Sequence, residues 1–456
     1  MRSRLEIRDP IHGFIHREPD EVSIMDTAVF QRLRRLRQLA FANLVYPGAT
    51  HSRFSHSLGV FHVATRITAA LDVPETERRL VRFAALLHDI GHGPFSHVTE
   101  PILKKHSDPA KLPRELKEAK IHELISWKII RTDKELARYI SDQQREQIVG
   151  LLNATWGHSY LQEIVSGPID ADKQDYLLRD SFFSGVKYGV YDQERLINTL
   201  MVRSDNDDQF LAISMDGIHA LEQFVLARYY MTTQVYRHRI RLITDNMIAR
   251  AIDLGIEEDK IGWLKSLYSY DGSEDYIKEY VEWSDDRVVN EILRKDAPDG
   301  YAKDLFARLY DRRLFKCILD VDQNDFPDPK VRNFVFGDSK AFHKPLEQAV
   351  AEHFNWDKNY VIAYPIRINS AARTESEIPV VHATKQTTSF YDESALFKSV
   401  DQKIREERFQ MYAPTTYNDE KQKAGMAREF KNAIIEMIKK LAGEQEKLQS
   451  EGSEQS

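Results

Sequence analysis

Cysteine is nearly missing from this 456-residue chain. Cys317 stands alone, which excludes an internal disulfide and leads us to expect a reducing, cytoplasmic setting. Long apolar runs are missing too. No stretch approaches the roughly 20 uninterrupted apolar residues of a membrane span, and the start, MRSRLEIRDP, has no apolar middle region of the kind a secretory signal carries. An excess of positive charge is also lacking. With 64 Lys and Arg against 71 Asp and Glu, the net charge of −7 argues against a surface that coats nucleic acid by counterion release. A polyanionic ligand must therefore be met locally. The runs FQRLRRLRQL at 30–39 and VYRHRIR at 235–241 offer such charge, although each reads equally well as a solvated helix face. There is no P-loop, no HExxH, no CxxC pair, no GxSxG and no internal repeat.

What is present is helical periodicity over most of residues 24–325, with apolar positions three and four apart, as in Phe30, Leu33, Leu36 and Ala40. A short extended start, IRDPIHGFIHRE, is marked by Pro10 and Gly13, and SDNDDQ near 203–209 reads as a turn between short strands. After NDFPDPK at 324–330 the texture changes to the alternating segments YVIAYPIRI and IPVVHA, separated by NSAARTESE. The expected organisation is a mostly α core over 1–325, a smaller α+β portion over 326–442, and a polar, disordered tail over 443–456.

Histidine is concentrated. His51, His56, His62, His88, His92, His97 and His106 place seven of the 16 histidines within residues 51–106, about one eighth of the chain. Taken singly, each reads as an ordinary hydrogen-bonded residue, and His62 and His106 are left in that class. His88 and Asp89 differ, because an adjacent imidazole and carboxylate inside the apolar helix FAALLHDI would cost several kcal/mol unpaired. A bound cation removes that cost. On a continuing helix His92 shares the face of His88, while Gly91, Gly93 and Pro94 end the helix, let His97 turn back, and admit an anion close to the backbone. Upstream, the helical stretch 52–71 carries His56 with Arg53 three residues earlier on the same face, a ligand beside an anion clamp. Downstream, Asp172, Tyr176 and Asp180 fall at i, i+4 and i+8 after a Gly-Pro helix start, a stripe about 12 Å long. That length approximates the span from a metal-bound phosphate to the far edge of a nucleoside sugar. Salt bridges with Lys173 and Arg179 are the plainer explanation of the same stripe.

With His56, His88-Asp89 and Asp172 in this order, the chain resembles the HD-domain phosphohydrolases. The strings RDPIHG (8–13), FQRLR (30–34), SRFSHSLGV (52–60), LLHDIGHGPFSH (86–97) and IDADKQDYLLRD (169–180) are similar to the deoxynucleoside triphosphate triphosphohydrolase branch, over about residues 5–325. No SAM domain stands before the core, so the shorter prokaryotic form is expected. The resemblance implies an HD-domain helical fold and a divalent metal, Fe, Mn, Mg or Zn, held by His56, His88, Asp89 and Asp172. It implies hydrolysis at the α-phosphorus to deoxynucleoside and inorganic triphosphate by a metal-activated water. His97 matches the proton donor to the 5′ oxygen, His92 a contact to the α-phosphate, and His122 a further active-site histidine, while Glu100 replaces an orienting aspartate.

The same resemblance assigns substrate contacts. Arg53, Lys173 and Arg228 would neutralise the triphosphate, Tyr176 and Asp180 would address the sugar, Gln38 and Leu39 would lie near the 3′ hydroxyl and the sugar or base, and Tyr236 would stack on the base. Arg237 stands where the animal relatives have glutamine, so base preference can differ. A homo-oligomer, dimer or tetramer, is expected, with a regulatory nucleotide at Asp26, Gln31 and Arg34. Glu6 there would repel a triphosphate, which leaves a different activator, or none, as alternatives. Two other readings stay open: an HD phosphohydrolase acting on another nucleotide, a phosphomonoester or a nucleic-acid end, and a non-catalytic sensor of nucleotides or single-stranded DNA. Neither a membrane nor nucleic acid is favoured as a partner.

Overall fold

The computed structural model describes residues 5–108, 119–205, 208–337, 341–367, 377–384, 386–400, 407–416 and 420–453. Among these, no helix is long and apolar enough to cross a membrane. The chain starts with the antiparallel strands β1 (Leu5–Asp9) and β2 (Gly13–Arg17), paired with Ile7 opposite Ile15. The Asp9 carboxylate accepts from the Ile11 and His12 amides and sets the turn, which Gly13 completes at φ +73°.

The helical core is built on helix Arg53–Ala70, which packs against helices Glu75–Leu87 and Ala171–Ser184. Twelve of its residues are buried, so it is covered nearly all round and shows no polar stripe. Its crossing with Ala171–Ser184 needs Gly59: a Cβ there would stand 1.8 Å from Asp175 Oδ1. Helix Ile121–Thr132 closes the group. Beyond it, helix Ile218–Tyr230 runs through a π-turn at Met231–Tyr236 into helix Arg239–Glu257. The two short strands expected around SDNDDQ are β3 (Leu200–Asp205) and β4 (Asp208–Ser214), and the turn between them, at 206–207, lies outside the described residues.

The fold is mostly α, with an N-terminal HD-domain helical core and a smaller strand-containing C-terminal portion. That portion does not begin cleanly after residue 325. The sheet order β5-β9-β6 takes its first strand from β5 (Lys316–Asp322), joined by β6 (Ile362–Arg367) and β9 (Glu407–Ala413). Meanwhile β7 (Pro379–Val381) pairs in parallel with β4 and carries β8 (Thr387–Ser389), so residues beyond 325 complete a sheet begun near 200. Accordingly Ile362, Ile366, Val380 and Phe390 belong to the large core, and a separate small core gathers Ile318, Val321, Leu346, Phe409, Ile434 and Ile438. The linker NSAARTESE lies almost wholly outside the described residues.

Two further expectations are corrected. The helix drawn through His88 ends at Leu87, and His88 is its C-cap. Two tight turns follow, Ile90 N to Leu87 O and His92 N to Asp89 O, so His92 reaches the site along a loop rather than a helix face. At the other end, helix Glu420–Ser453 runs through residues 443–453, where a disordered tail was expected. Glu, Gln, Lys and Leu are strong helix formers, so a polar composition there prolongs the helix that precedes it.

Candidate metal centre and adjoining cavity

Three side chains, His56, His88 and Asp172, come within 4.8 Å of one another, with Asp89 beside the two imidazoles. His56, in the second turn of helix Arg53–Ala70, donates from Nδ1 to Asp175 Oδ2 at 2.8 Å. His88 donates from Nδ1 to the Ala85 carbonyl at 2.8 Å. Both acceptors lack a proton, so each Nδ1 carries one and, in the neutral imidazole, each Nε2 offers a lone pair. His56 Nε2 lies 3.0 Å from Asp172 Oδ1 and 3.7 Å from Asp89 Oδ2; His88 Nε2 lies 3.4 Å from Asp89 Oδ1 and 3.9 Å from Asp172 Oδ1. One donor atom each from His56, His88 and Asp172 falls within 4.8 Å of the others. Both Nε2 atoms are buried without a hydrogen-bond partner, a cost that a cation would remove. This imidazole and carboxylate set suits a divalent first-row metal or magnesium.

The local charges fit the same assignment. Burial would lower the pKa of His56, but Asp172 and Asp175 outweigh it and push it up to about 10. Burial opposes ionisation of Asp172, yet His56 brings it down to about 2. For Asp89 burial is likewise overcome, by Arg53, His88 and His92, and the carboxyl is held well below its usual range. Without an ion His56 therefore carries a proton on Nε2 that faces Asp172, and a divalent cation binding among the two carboxylates and two imidazoles would displace that proton.

Beside this centre stands a second cluster. His92 stacks on His122 with ring centres 3.9 Å apart, and His97 meets both edge-on, at 4.7 and 5.3 Å. Glu100 accepts from His122 Nδ1 at 2.7 Å and from the Ile121 amide, so the longer carboxylate still fixes that ring. Burial and then Arg53 and His122 keep His92 well below its usual pKa, and it stays neutral. His97 is exposed. The loop delivering these groups is tightly tied. Arg32 donates to the Ile90, His92 and Val281 carbonyls, and Phe95 and Ser96, both at positive φ, are held by Asp285 Oδ1 on the Phe95 amide. Gly91 and Gly93, expected to admit an anion, instead admit protein. A Cβ would meet Ser126 N and His122 O at the first, and the Tyr280 hydroxyl at the second.

Two cavities adjoin here. The first, about 240 Å³, is lined by the four metal-site residues, Arg53, His92, His97, His122, Lys173 and Tyr176 among others. The second, about 380 Å³, is lined by Gln38, Leu39, His97, Lys173, Tyr176, Asp180, Tyr236 and Arg241 among others. Arg53 donates Nε to Ser96 Oγ and Nη1 to Asp89, and its Nη2 is buried without a partner. Lys173 bonds Asp170 Oδ2 and the Gly167 carbonyl, which turns part of its charge inward. Asp180 accepts from His51 Nε2 and the Tyr236 hydroxyl, each at 2.7 Å, leaving a lone pair on each oxygen. Tyr176 faces Tyr236 with ring centres 6.2 Å apart.

Not every expected residue comes to this place. Arg228 lines neither cavity, although its charge bears on Tyr176. Asp26, Gln31 and Arg34, expected at a regulatory site apart from this one, line neither cavity: Asp26 is exposed at the end of helix Pro19–Met25, Gln31 donates to the Met25 carbonyl, and Arg34 donates to Gln31 Oε1 at 2.7 Å. Other residues were missed. Asp175 is fully buried and accepts from His12 Nε2, His56 Nδ1 and Arg179, which orients the His56 imidazole from behind. Its signal was there, since Asp175 and Arg179 are spaced i and i+4 beside the stripe already noted. Lys120, which lines both cavities, carried no signal beyond its charge.

Family profiles match in two places: the HD domain over residues 53–180 and an HD associated region over 191–431. An uncharacterized protein of Methanocaldococcus jannaschii is 32% identical over 360 residues, 79% of this chain and 69% of that one. Human deoxynucleoside triphosphate triphosphohydrolase SAMHD1 is 31% identical over 343 residues, which cover 68% of this chain and 54% of the human protein. Among solved structures, a hypothetical protein from Aquifex aeolicus superposes with a TM-score of 0.71 at 26% identity, covering 94% of this chain and 99% of its own. The chain belongs to the HD-domain phosphohydrolase family, as a relative of its deoxynucleotide triphosphohydrolase branch.

Proposed function

We propose that the protein hydrolyses deoxynucleoside triphosphates to deoxynucleoside and inorganic triphosphate. The observation that carries this reading is the continuity of the cavity. Metal donors stand at one end, tyrosines and a buried carboxylate at the other, and Gln38, His97, Lys120, Asp172, Lys173 and Tyr176 line both parts.

His56, His88, Asp89 and Asp172 would hold the ion. When bound, a divalent metal there polarises an α-phosphate oxygen and lowers the pKa of a coordinated water toward neutrality. The chain's own groups do the rest. Arg53 Nη2, Lys120 and Lys173 offset the triphosphate charge along one wall, and His92 sits at the α-phosphate. His97, whose pKa desolvation, Arg53 and His122 hold well below its ordinary value, would gain a proton as the triphosphate's negative charge enters and give it to the 5′ oxygen as the bond from that oxygen to the α-phosphorus breaks, while the water oxygen joins the triphosphate. Glu100 keeps His122 turned toward His92 and His97 by fixing its Nδ1. At the sugar, the Tyr176 ring crowds the 2′ position, and Asp180, already holding His51 and Tyr236, accepts from the 3′ hydroxyl. Activation by a second nucleotide at Asp26, Gln31 and Arg34, in a dimer or tetramer in the cytoplasm, completes the proposal.

The test is ion-exchange analysis of products from all four deoxynucleoside triphosphates, singly and mixed, with Mn, Mg, Fe and Zn in turn. Triphosphate with free deoxynucleoside is the expected outcome. Orthophosphate or pyrophosphate would move the reading to another HD-type phosphohydrolase, and no turnover of any mixture to a nucleotide sensor.

A further inference from the structure

We infer that Arg241 reads the base of the bound nucleotide and selects guanine over adenine, an inference that rests on the function proposed above. Asp172 at the metal end and Asp180 at the far end are eight residues apart on one helix face, about 12 Å. A nucleotide whose α-phosphate lies at the metal therefore has its sugar beside Asp180, and its base falls beyond, among Leu39, Tyr236 and Arg241. Arg241 is the third residue of helix Arg239–Glu257, which follows the π-turn carrying Tyr236. Its guanidinium carbon stands over the Tyr236 ring, 5.3 Å from the ring centre, so a base entering beside that ring brings its edge to the fork.

The fork is also underused. The Arg241 side chain is only 12% exposed, yet neither Nε nor Nη1 has a hydrogen-bond partner. Asp245, one turn on, lies 3.5 Å from Nε without hydrogen-bond geometry. A buried donor left unpaired is costly, and a ligand with two adjacent acceptors would pair the Nη1–Nη2 end of the guanidinium, Nε facing the other way, toward Asp245. Guanine presents O6 and N7 side by side on one edge. Adenine puts an amino donor in place of O6, against another donor. The preference is therefore for dGTP over dATP.

The test measures binding and so does not depend on turnover. Dissociation constants of the non-hydrolysable α,β-imido analogues of dGTP and dATP are taken by calorimetry on the metal-loaded full chain and on its R241L and R241K variants. The wild type should favour the guanine analogue by about 10-fold or more. Leucine keeps apolar packing without the fork, and lysine keeps the charge without it. Both variants should lose the preference through weaker guanine binding, with adenine binding unchanged. Should R241L fail to fold, R241K alone decides. Equal binding of the two analogues by the wild type, a ratio that survives substitution, or equal weakening of both analogues would each overturn the inference. The last result would mean that the fork meets a phosphate. The triphosphohydrolase reading would survive all three; binding of neither analogue would remove both.

Discussion

Asp175→Asn tests how the metal centre is held rather than which groups touch it. The carboxylate accepts from His12 Nε2 at 2.7 Å, His56 Nδ1 at 2.8 Å and Arg179 at 2.8 and 2.9 Å, with no exposure. Burial would raise its pKa, but Arg179, His12 and His56 hold it well below the usual carboxylate range. Asparagine fills the same volume, offers one acceptor oxygen in place of two, and carries no charge. Arg179 keeps Asp9 at 2.9 Å, so its charge is not wholly orphaned. The loss of stability should fall at the lower end of that for breaking a buried ion pair, about 3 kcal/mol. His56 loses the acceptor that fixes its tautomer, which weakens metal binding by about 10- to 100-fold. Because the native pKa is depressed, this contribution is present in full above the unfolded carboxyl's pKa, near 4, and fades as pH falls further. Urea unfolding of the metal-free protein across pH, with manganese titration by calorimetry, reads both effects. Wild-type metal affinity in the variant would refute the orienting role.

Other expectations follow from the same geometry. Asp172→Ala should abolish turnover while leaving the circular dichroism spectrum intact, since that side chain is 34% exposed; retained activity would remove Asp172 from the site. In the metal-free protein His56 titrates near 10 against an ordinary 6.5, so the native state binds the extra proton and stability should fall as pH rises between those values. Equilibrium unfolding would show this fall, and a flat profile would contradict it. Gly59→Ala places a Cβ 1.8 Å from Asp175 Oδ1 and should cost about 1–3 kcal/mol or more, seen as a lower midpoint of thermal unfolding. Asp285→Ala releases the Phe95 and Arg37 amides, both accepted at 2.8 Å. These lie just before His97 and Gln38, so kcat should fall more than KM rises.

The parts of the site that were legible are those written in short spacing. His88 and Asp89 are adjacent, His92 and His97 follow at once, and Asp172, Tyr176 and Asp180 repeat by four, so local pattern brings them together. What stayed hidden depends on distant partners. Asp175 gains its meaning from His12, 163 residues away, and Asp285 from Phe95, 190 away. Arg241 sat in a basic run that reads as a solvated face until the π-turn at Met231–Tyr236 carries it to the cavity wall. The strand textures at 362–367 and 379–381 were visible, yet their partners were not. A three-residue strand such as Pro379–Val381 carries too little pattern to say that it completes the sheet begun by β3 and β4.

On this reading His56, His88, Asp89 and Asp172 together hold one divalent ion. Its most direct measurement is metal content by mass spectrometry after reconstitution with manganese and gel filtration, for the wild type and for each of the four alanine variants. One tightly held ion per chain is expected in the wild type, and its loss in all four variants. An ion retained undiminished in the variants at 56 and 172, or none in the wild type with any metal supplied, would contradict it.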